Sequence, residues 1–246
     1  MPQKTIILLL NHIVNSFIPN RCCFCHSSHP QTGIACQACL EDLPWQMTGC
    51  QQCALPLPVS PEADSALICG ECLHNPPPFT HTSAAFRYLP PISDQITRFK
   101  HQRDLVAGRF LSTQLAQQLR LDYEYQAWPD AITAVPLHWQ RQLWRGFNQA
   151  AYISRQLSLE LKIPLLHCCR RKKATVKQQQ LSRKQRLKNL RQSFEIMTNA
   201  KDLHLALIDD VMTTGTTARE LSSILLKAGA KRVDVWVLAR TPTPGT

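Results

Sequence analysis

Leu205-Ala206-Leu207-Ile208-Asp209-Asp210-Val211-Met212-Thr213-Thr214-Gly215-Thr216-Thr217 is the stretch that decides the fold of this chain. Its apolar opening reads as a buried strand over Leu203–Ile208, with two acids, Asp209 and Asp210, at the strand's carboxyl end. A turn of hydroxyls with one glycine follows, and the spacing over Ala218–Ala228 predicts a helix. Backbone N–H groups at a helix N-terminus, with Thr hydroxyls beside them, form a monophosphate cradle. Adjacent carboxylates just ahead of it can accept hydrogen bonds from a vicinal diol. A ribose 5-phosphate meets both requirements. An acidic strand end followed by a Thr-rich helix cap is the plainer reading.

Outward from this stretch, apolar strands alternate with helical segments. Ala85–Leu89, Ala131–Val135 and Val233–Leu238 read as strands, and Ile92 to about Leu119 and Gln149–Leu161 as helices. That alternation predicts an α/β fold with a parallel sheet covered on both faces, its ligand at the carboxyl ends of the strands. Val135-Pro136 ends a strand at the same edge as Asp209, so Leu137, His138, Arg141 and Arg145 start from that edge. Arg141 and Arg145 lie four apart, on one side if the turn is helical, suited to a pyrophosphate, or to a solvated basic loop.

The first third differs in kind. Cys22–Cys25, Cys36–Cys39, Cys50–Cys53 and Cys69–Cys72 are four C-x-x-C pairs among 11 cysteines. Two such knuckles complete a tetrahedral thiolate site, so four predict a double zinc ribbon with two structural zinc ions. Consecutive pairing is the default, an interleaved cross-brace the alternative; an iron–sulfur cluster or a disulfide framework would use the same residues. Residues 1–80 carry two basic and five acidic side chains, a net of −3, and two zinc tetrathiolates take this to about −7. Such a surface repels nucleic acid phosphates, which favours a structural or protein-docking ribbon.

The sequence divides into an amphipathic helix in 1–20 (Ile6, Leu10, Ile13 and Phe17 at helical spacing), the zinc ribbons in 21–78, and the α/β domain in 79–246 after Pro76-Pro77-Pro78. With 44 % apolar and 18 % charged residues, the 246-residue chain is too apolar for wholesale disorder. Its longest apolar run, Ile6–Leu10, is short for a bilayer span or an export signal, and the expectation is a cytosolic chain. The net charge of +11 is concentrated: ten Lys and Arg lie between Arg170 and Arg191, with no acid.

The 13-residue stretch resembles the PRPP-binding motif of type I phosphoribosyltransferases, and the whole chain resembles the ComF/GntX family of zinc ribbon followed by phosphoribosyltransferase domain. Phe86-Arg87-Tyr88 with Ile96, Phe99-Lys100 and Asp104, Val135–Gln149, and Thr175, Gln178, Leu181, Arg186, Asn189 and Phe194 carry further parts of that resemblance. It implies Mg²⁺-PRPP bound by Asp209, Asp210, Thr213, Thr214, Gly215, Thr216 and Thr217, with pyrophosphate against Leu137, His138, Arg141 and Arg145. It also implies a role in natural transformation, with single-stranded DNA and DNA-uptake proteins as partners. Two functions fit: a phosphoribosyltransferase with an unidentified acceptor, or an inert PRPP-binding scaffold. Thr213 stands where purine-salvage relatives carry a base-contacting Asp, which makes a purine acceptor less suited. Residues 167–195 correspond to the family's hood over PRPP; the same cationic strip could contact single-stranded nucleic acid or be plain solvated surface.

Overall fold

The computed structural model describes residues 20–29, 34–57, 67–137, 146–171 and 194–243. The N-terminal amphipathic helix and most of the 167–195 segment lie outside them. The chain divides into two compact units between Leu43 and Pro44.

In the first unit, β1 (Asn20–Arg21) and β2 (Ser28–His29) form an antiparallel hairpin, followed by α1 (Gln37–Glu41). The second unit is built on a four-stranded sheet, order β3 (Thr82–Arg87), β8 (Arg232–Arg240), β7 (His204–Met212) and β4 (Ala131–Ala134), every pairing parallel. This is the expected α/β architecture. Pro44–Gln46 line the outer edge of β3: Arg87 N–H donates to Pro44 O, Gln46 N–H to Ala85 O, and Trp45 packs on Phe86 at 4.7 Å. An otherwise open edge is thereby paired.

Strand alternation separates the two faces. Leu205 and Leu207 of β7 and Val233, Val235 and Val237 of β8 share one buried cluster with Leu221 and Leu225 of α6 (Thr216–Lys227). Cys50, Cys53, Cys69, Cys72 and Phe79 belong to that cluster, so the second cysteine quartet helps cover the sheet as a helix would. The residues of this quartet fall within the second unit. β5 (Cys169–Arg171) and β6 (Phe194–Ile196) form an antiparallel pair of their own. Besides the short α2 (Gly70–His74), the other helices are α3 (Ile92–Gln102), α4 (Leu105–Asp122) and α5 (Gln149–Leu161), whose buried residues include Ile96, Phe99, Leu111, Leu115, Ile153 and Leu157.

The strand expected over Ala85–Leu89 lies earlier, at Thr82–Arg87, and two further elements differ from the sequence expectation. The helix expected from Ile92 to about Leu119 is two helices, because Arg103 adopts a left-handed conformation (φ 54). Asp104 Oδ1 then caps α4 by accepting from Val106 N–H (3.1 Å) and Ala107 N–H (3.0 Å). The strand expected to end at Ile208 continues to Met212, because Val211 and Met212 still pair with Ala239 and Arg240.

A buried polar cluster fixes the amino-terminal ends of β7 and β8. Asp234, fully buried, accepts from Tyr123 Oη (2.6 Å) and Arg232 Nε (2.9 Å) and lies 2.7 Å from His204 Nε2. Burial alone would raise its carboxyl pKa; the bonds from His204, Arg232 and Tyr123 outweigh this and hold it below the usual range. That stabilisation is present above the unfolded carboxyl pKa and lost as pH falls through the lower folded value. Asp234→Asn removes the charge that these donors face. It should cost about 3 kcal/mol at neutral pH, read as a lowered urea midpoint.

Candidate functional site

The two cysteine quartets repeat one local construction. In each, the residue directly after the first knuckle is bonded alike: Cys22 O accepts from His26 N–H (3.0 Å) and Cys50 O from Ala54 N–H (2.8 Å). His26 and Ala54 take the left-handed conformation that turns the chain back (φ 60 and 53). The second pair of each quartet opens a five-residue helix, Cys36 before α1 and Cys69 before α2 (Gly70–His74). The sulfurs of Cys22, Cys25, Cys36 and Cys39 lie within 4.8 Å of one another, as do those of Cys50, Cys53, Cys69 and Cys72. This is the consecutive grouping, and all 11 cysteines are free thiols, not disulfides.

Sulfur spacing and electrostatics suit zinc. Cys25 and Cys36 sulfurs are 3.8 Å apart and Cys53 and Cys69 sulfurs 3.6 Å; a tetrahedron with Zn–S of about 2.3 Å has edges of about 3.8 Å. Burial raises the Cys22 thiol, but N–H donors from Cys36, Cys25 and Phe24 outweigh it and bring it down to about 6. Cys50 is brought to about 7 in the same way, against burial, by N–H groups of Cys69, Cys53 and Gln52. Cys39, by contrast, is pushed up to about 12 by burial and by its neighbouring sulfurs. Four thiolates ionise together only around a cation.

At the other functional element, β7 delivers the acid pair and runs into the turn. Asp210 N–H donates to Asp209 Oδ1 (2.8 Å), and Lys100 Nζ pairs with Asp210 Oδ1 at 3.0 Å. Burial first, then the Asp210 charge, push Asp209 up to about 7; the Asp210 N–H and Lys100 act the other way. Gly215 (φ 73) is the N-cap of α6 and lends the first turn no side-chain oxygen; within that turn Thr216 N–H reaches Thr214 Oγ1 at 3.5 Å. A Cβ there would meet only Met212 at ordinary contact distance, so glycine is required by φ and not by space. Thr214 and Thr216 hydroxyls are 2.9 Å apart. Asp209, Val211 and Thr213–Ala218 line a cavity of about 50 Å³.

Of the residues expected on the pyrophosphate side, half-buried Leu137 follows β4, while His138, Arg141 and Arg145 lie outside the described residues. The Gly146-Phe147-Asn148-Gln149 tetrad instead secures the edge. Asn148 Nδ2 donates to Val135 O (3.1 Å) and its Oδ1 caps α5 by accepting from Ala151 N–H (3.3 Å). A Cβ on Gly146 would fall 1.5 Å from the Arg103 guanidinium. Gln149 Nε2 reaches Lys100 O (3.4 Å), which ties α5 to the residue that faces Asp210. Sequence reasoning gave Lys100 no role in the site. Its signal was a lone Lys after Phe99 on an amphipathic helix, which only the tertiary fold turns toward an acid.

A protein-family profile described as a double zinc ribbon domain matches residues 13–73. The chain is 36 % identical over 216 residues to the DNA utilization protein YhgH of Escherichia coli K12, covering 84 % of this chain and 90 % of that one. It is 36 % identical over 211 residues to competence protein F of Haemophilus influenzae, covering 78 % and 89 %. The chain belongs to this competence protein F and YhgH family. Among solved structures, purine phosphoribosyltransferase from Pyrococcus horikoshii is similar over 67 % of this chain and 82 % of that one, at 20 % identity and a TM-score of 0.35. The two cysteine quartets are the two zinc-binding sites of the double ribbon. Among the described residues, no helix is long and apolar enough to cross a membrane.

Two zinc equivalents are therefore expected by elemental analysis, and one in a Cys36→Ser/Cys39→Ser variant. Full metal content in that variant would refute the assignment. Protonation of Cys22 and Cys50 competes with the metal, so zinc should be lost as pH falls well below about 6.

Proposed function

We propose that this chain binds Mg²⁺-PRPP at the carboxyl end of β7 and acts in the cytosolic handling of single-stranded DNA taken up by the cell. The observation that supports the binding is the half-buried acid pair running directly into a left-handed Gly215 turn whose N-cap supplies no side-chain oxygen. The 5-phosphate lies on the N–H groups and hydroxyls of Thr213–Thr217, where the partial positive charge of α6 favours a dianion. The ribose 2- and 3-hydroxyls donate to Asp209 and Asp210, adding to the single N–H that Asp209 accepts and the Lys100 ammonium that faces Asp210. Pyrophosphate lies against the Leu137–Arg145 segment. Magnesium supplies charge neutralisation on the pyrophosphate when bound, held mainly by PRPP oxygens and water.

The reaction this arrangement serves is displacement at the anomeric carbon. The bond to pyrophosphate breaks with its electron pair on the leaving oxygen, a bond to an acceptor nitrogen forms, and that nitrogen loses a proton. Electrostatic support of ribose and leaving group is what this chain's residues would contribute. The DNA role is supported by the relatives, which are named as a DNA utilization protein and a competence protein. The run of ten basic residues between Arg170 and Arg191 supplies charge for phosphate contact.

Calorimetric titration of Mg²⁺-PRPP tests the reading. Saturable binding is expected in the wild type, lost in Asp209→Ala/Asp210→Ala, and that variant should fail to restore DNA uptake to a strain lacking the protein. Absence of binding to the folded, zinc-loaded chain would leave a scaffold. Affinity should fall as pH drops through about 7, because Asp209 then becomes protonated and ceases to accept. Asp209→Asn should flatten that dependence, and Lys100→Met should move its midpoint upward, since the ammonium holds Asp209 down.

A further inference from the structure

Arg240 is the last residue of β8 and stands in register with Met212, the last residue of β7. Its side chain is buried, and its hydrogen bonds run to backbone carbonyls. Nε donates to Cys53 O (2.9 Å), and Nη1 to Met212 O (3.0 Å), to Thr241 O (2.9 Å) and, closer still, to Thr213 O. One guanidinium thus grips the knuckle of the second cysteine quartet and the residues leading into the phosphate turn. Beside it, Cys53, Cys69, Phe79, Met212, Thr214 and Arg219 line a cavity of about 330 Å³ between quartet and turn. The Arg240 side chain spans the quartet and the turn alongside that void.

A buried cation is tolerated when its donors are satisfied. No carboxylate pairs with Arg240 among the described residues, so its charge stays available to two anionic neighbours: the tetrathiolate on one side and a phosphate on the other. Only a planar fork reaches three segments at once, which an ammonium cannot reproduce. We propose that Arg240 is a positioning residue through which the second cysteine quartet holds the phosphate turn, coupling metal retention in that quartet to phosphate binding at Thr213–Thr217. The coupling is reciprocal, since each event stabilises the arrangement the other needs. Its ligand arm rests on the PRPP reading above; its ligand-free arm does not.

The test follows zinc loss from the full chain to excess chelator with a colorimetric indicator, with and without saturating Mg²⁺-PRPP. Arg240→Met and Arg240→Lys are compared with the wild type and with Asp234→Asn, which is destabilised at the opposite end of the same strands. Without ligand, one of two zinc equivalents should leave about tenfold faster in Arg240→Met than in Asp234→Asn, the scale of one lost charge-assisted bond. With PRPP, that equivalent should be slowed in the wild type and in Asp234→Asn but not in Arg240→Met, with Arg240→Lys at best partial. Equal ligand-free rates in Arg240→Met and Asp234→Asn, or undiminished slowing by PRPP in Arg240→Met, would overturn the proposal. If the wild type binds no PRPP, the ligand reading falls and the ligand-free comparison still decides the tie.

Discussion

The pairing of β7 with β8, from His204 opposite Arg232 to Met212 opposite Arg240, is the constraint on which the rest depends. It holds β7 extended past the acids, so Asp209 and Asp210 sit in a strand with both flanks ordered, and the chain can turn only at Thr213. Because the two strands end together, the side chain closing β8 lies beneath the turn that leaves β7. The site and its support arise from one register, and a slip by a single residue would exchange the faces of the strand that moved.

Two carboxylates on these strands show how differently one sheet treats its ends. Asp234 has several donors and is held below its usual range, which stabilises the fold above acidic pH. Asp209 receives one backbone N–H, faces Asp210, and is pushed up to about 7. Its folded value exceeds the unfolded one, so ionising it between about pH 4 and 7 costs stability. A fold that satisfies buried Asp234 and leaves half-buried Asp209 short of donors concentrates its electrostatic strain where a ligand can relieve it.

Much of this was legible in the sequence because periodicity and spacing are local. Gln149–Leu161 is a helix at the expected bounds, the four C-x-x-C pairs group consecutively, and the acids precede a turn and a helix as read from Leu205–Thr217. What escaped depends on residues distant in the chain. The break at Arg103 and the cap at Asp104 had a local signal, an Asp ahead of a new apolar run, hidden by helical spacing that continues across it. Lys100 meets Asp210, and Arg240 meets Cys53, across separations no pattern reports. The C-x-x-C spacing also does not report that the second quartet packs, with Phe79, into the same apolar cluster as α6.

Hydrogen exchange resolved to the peptide, on the zinc-loaded chain with and without Mg²⁺-PRPP, tests the central claim most directly. The account predicts new protection at the amides of Thr214–Ala218, extending to Cys53 and its neighbours, with little change around His204 and Asp234. Protection that leaves the turn untouched would contradict it.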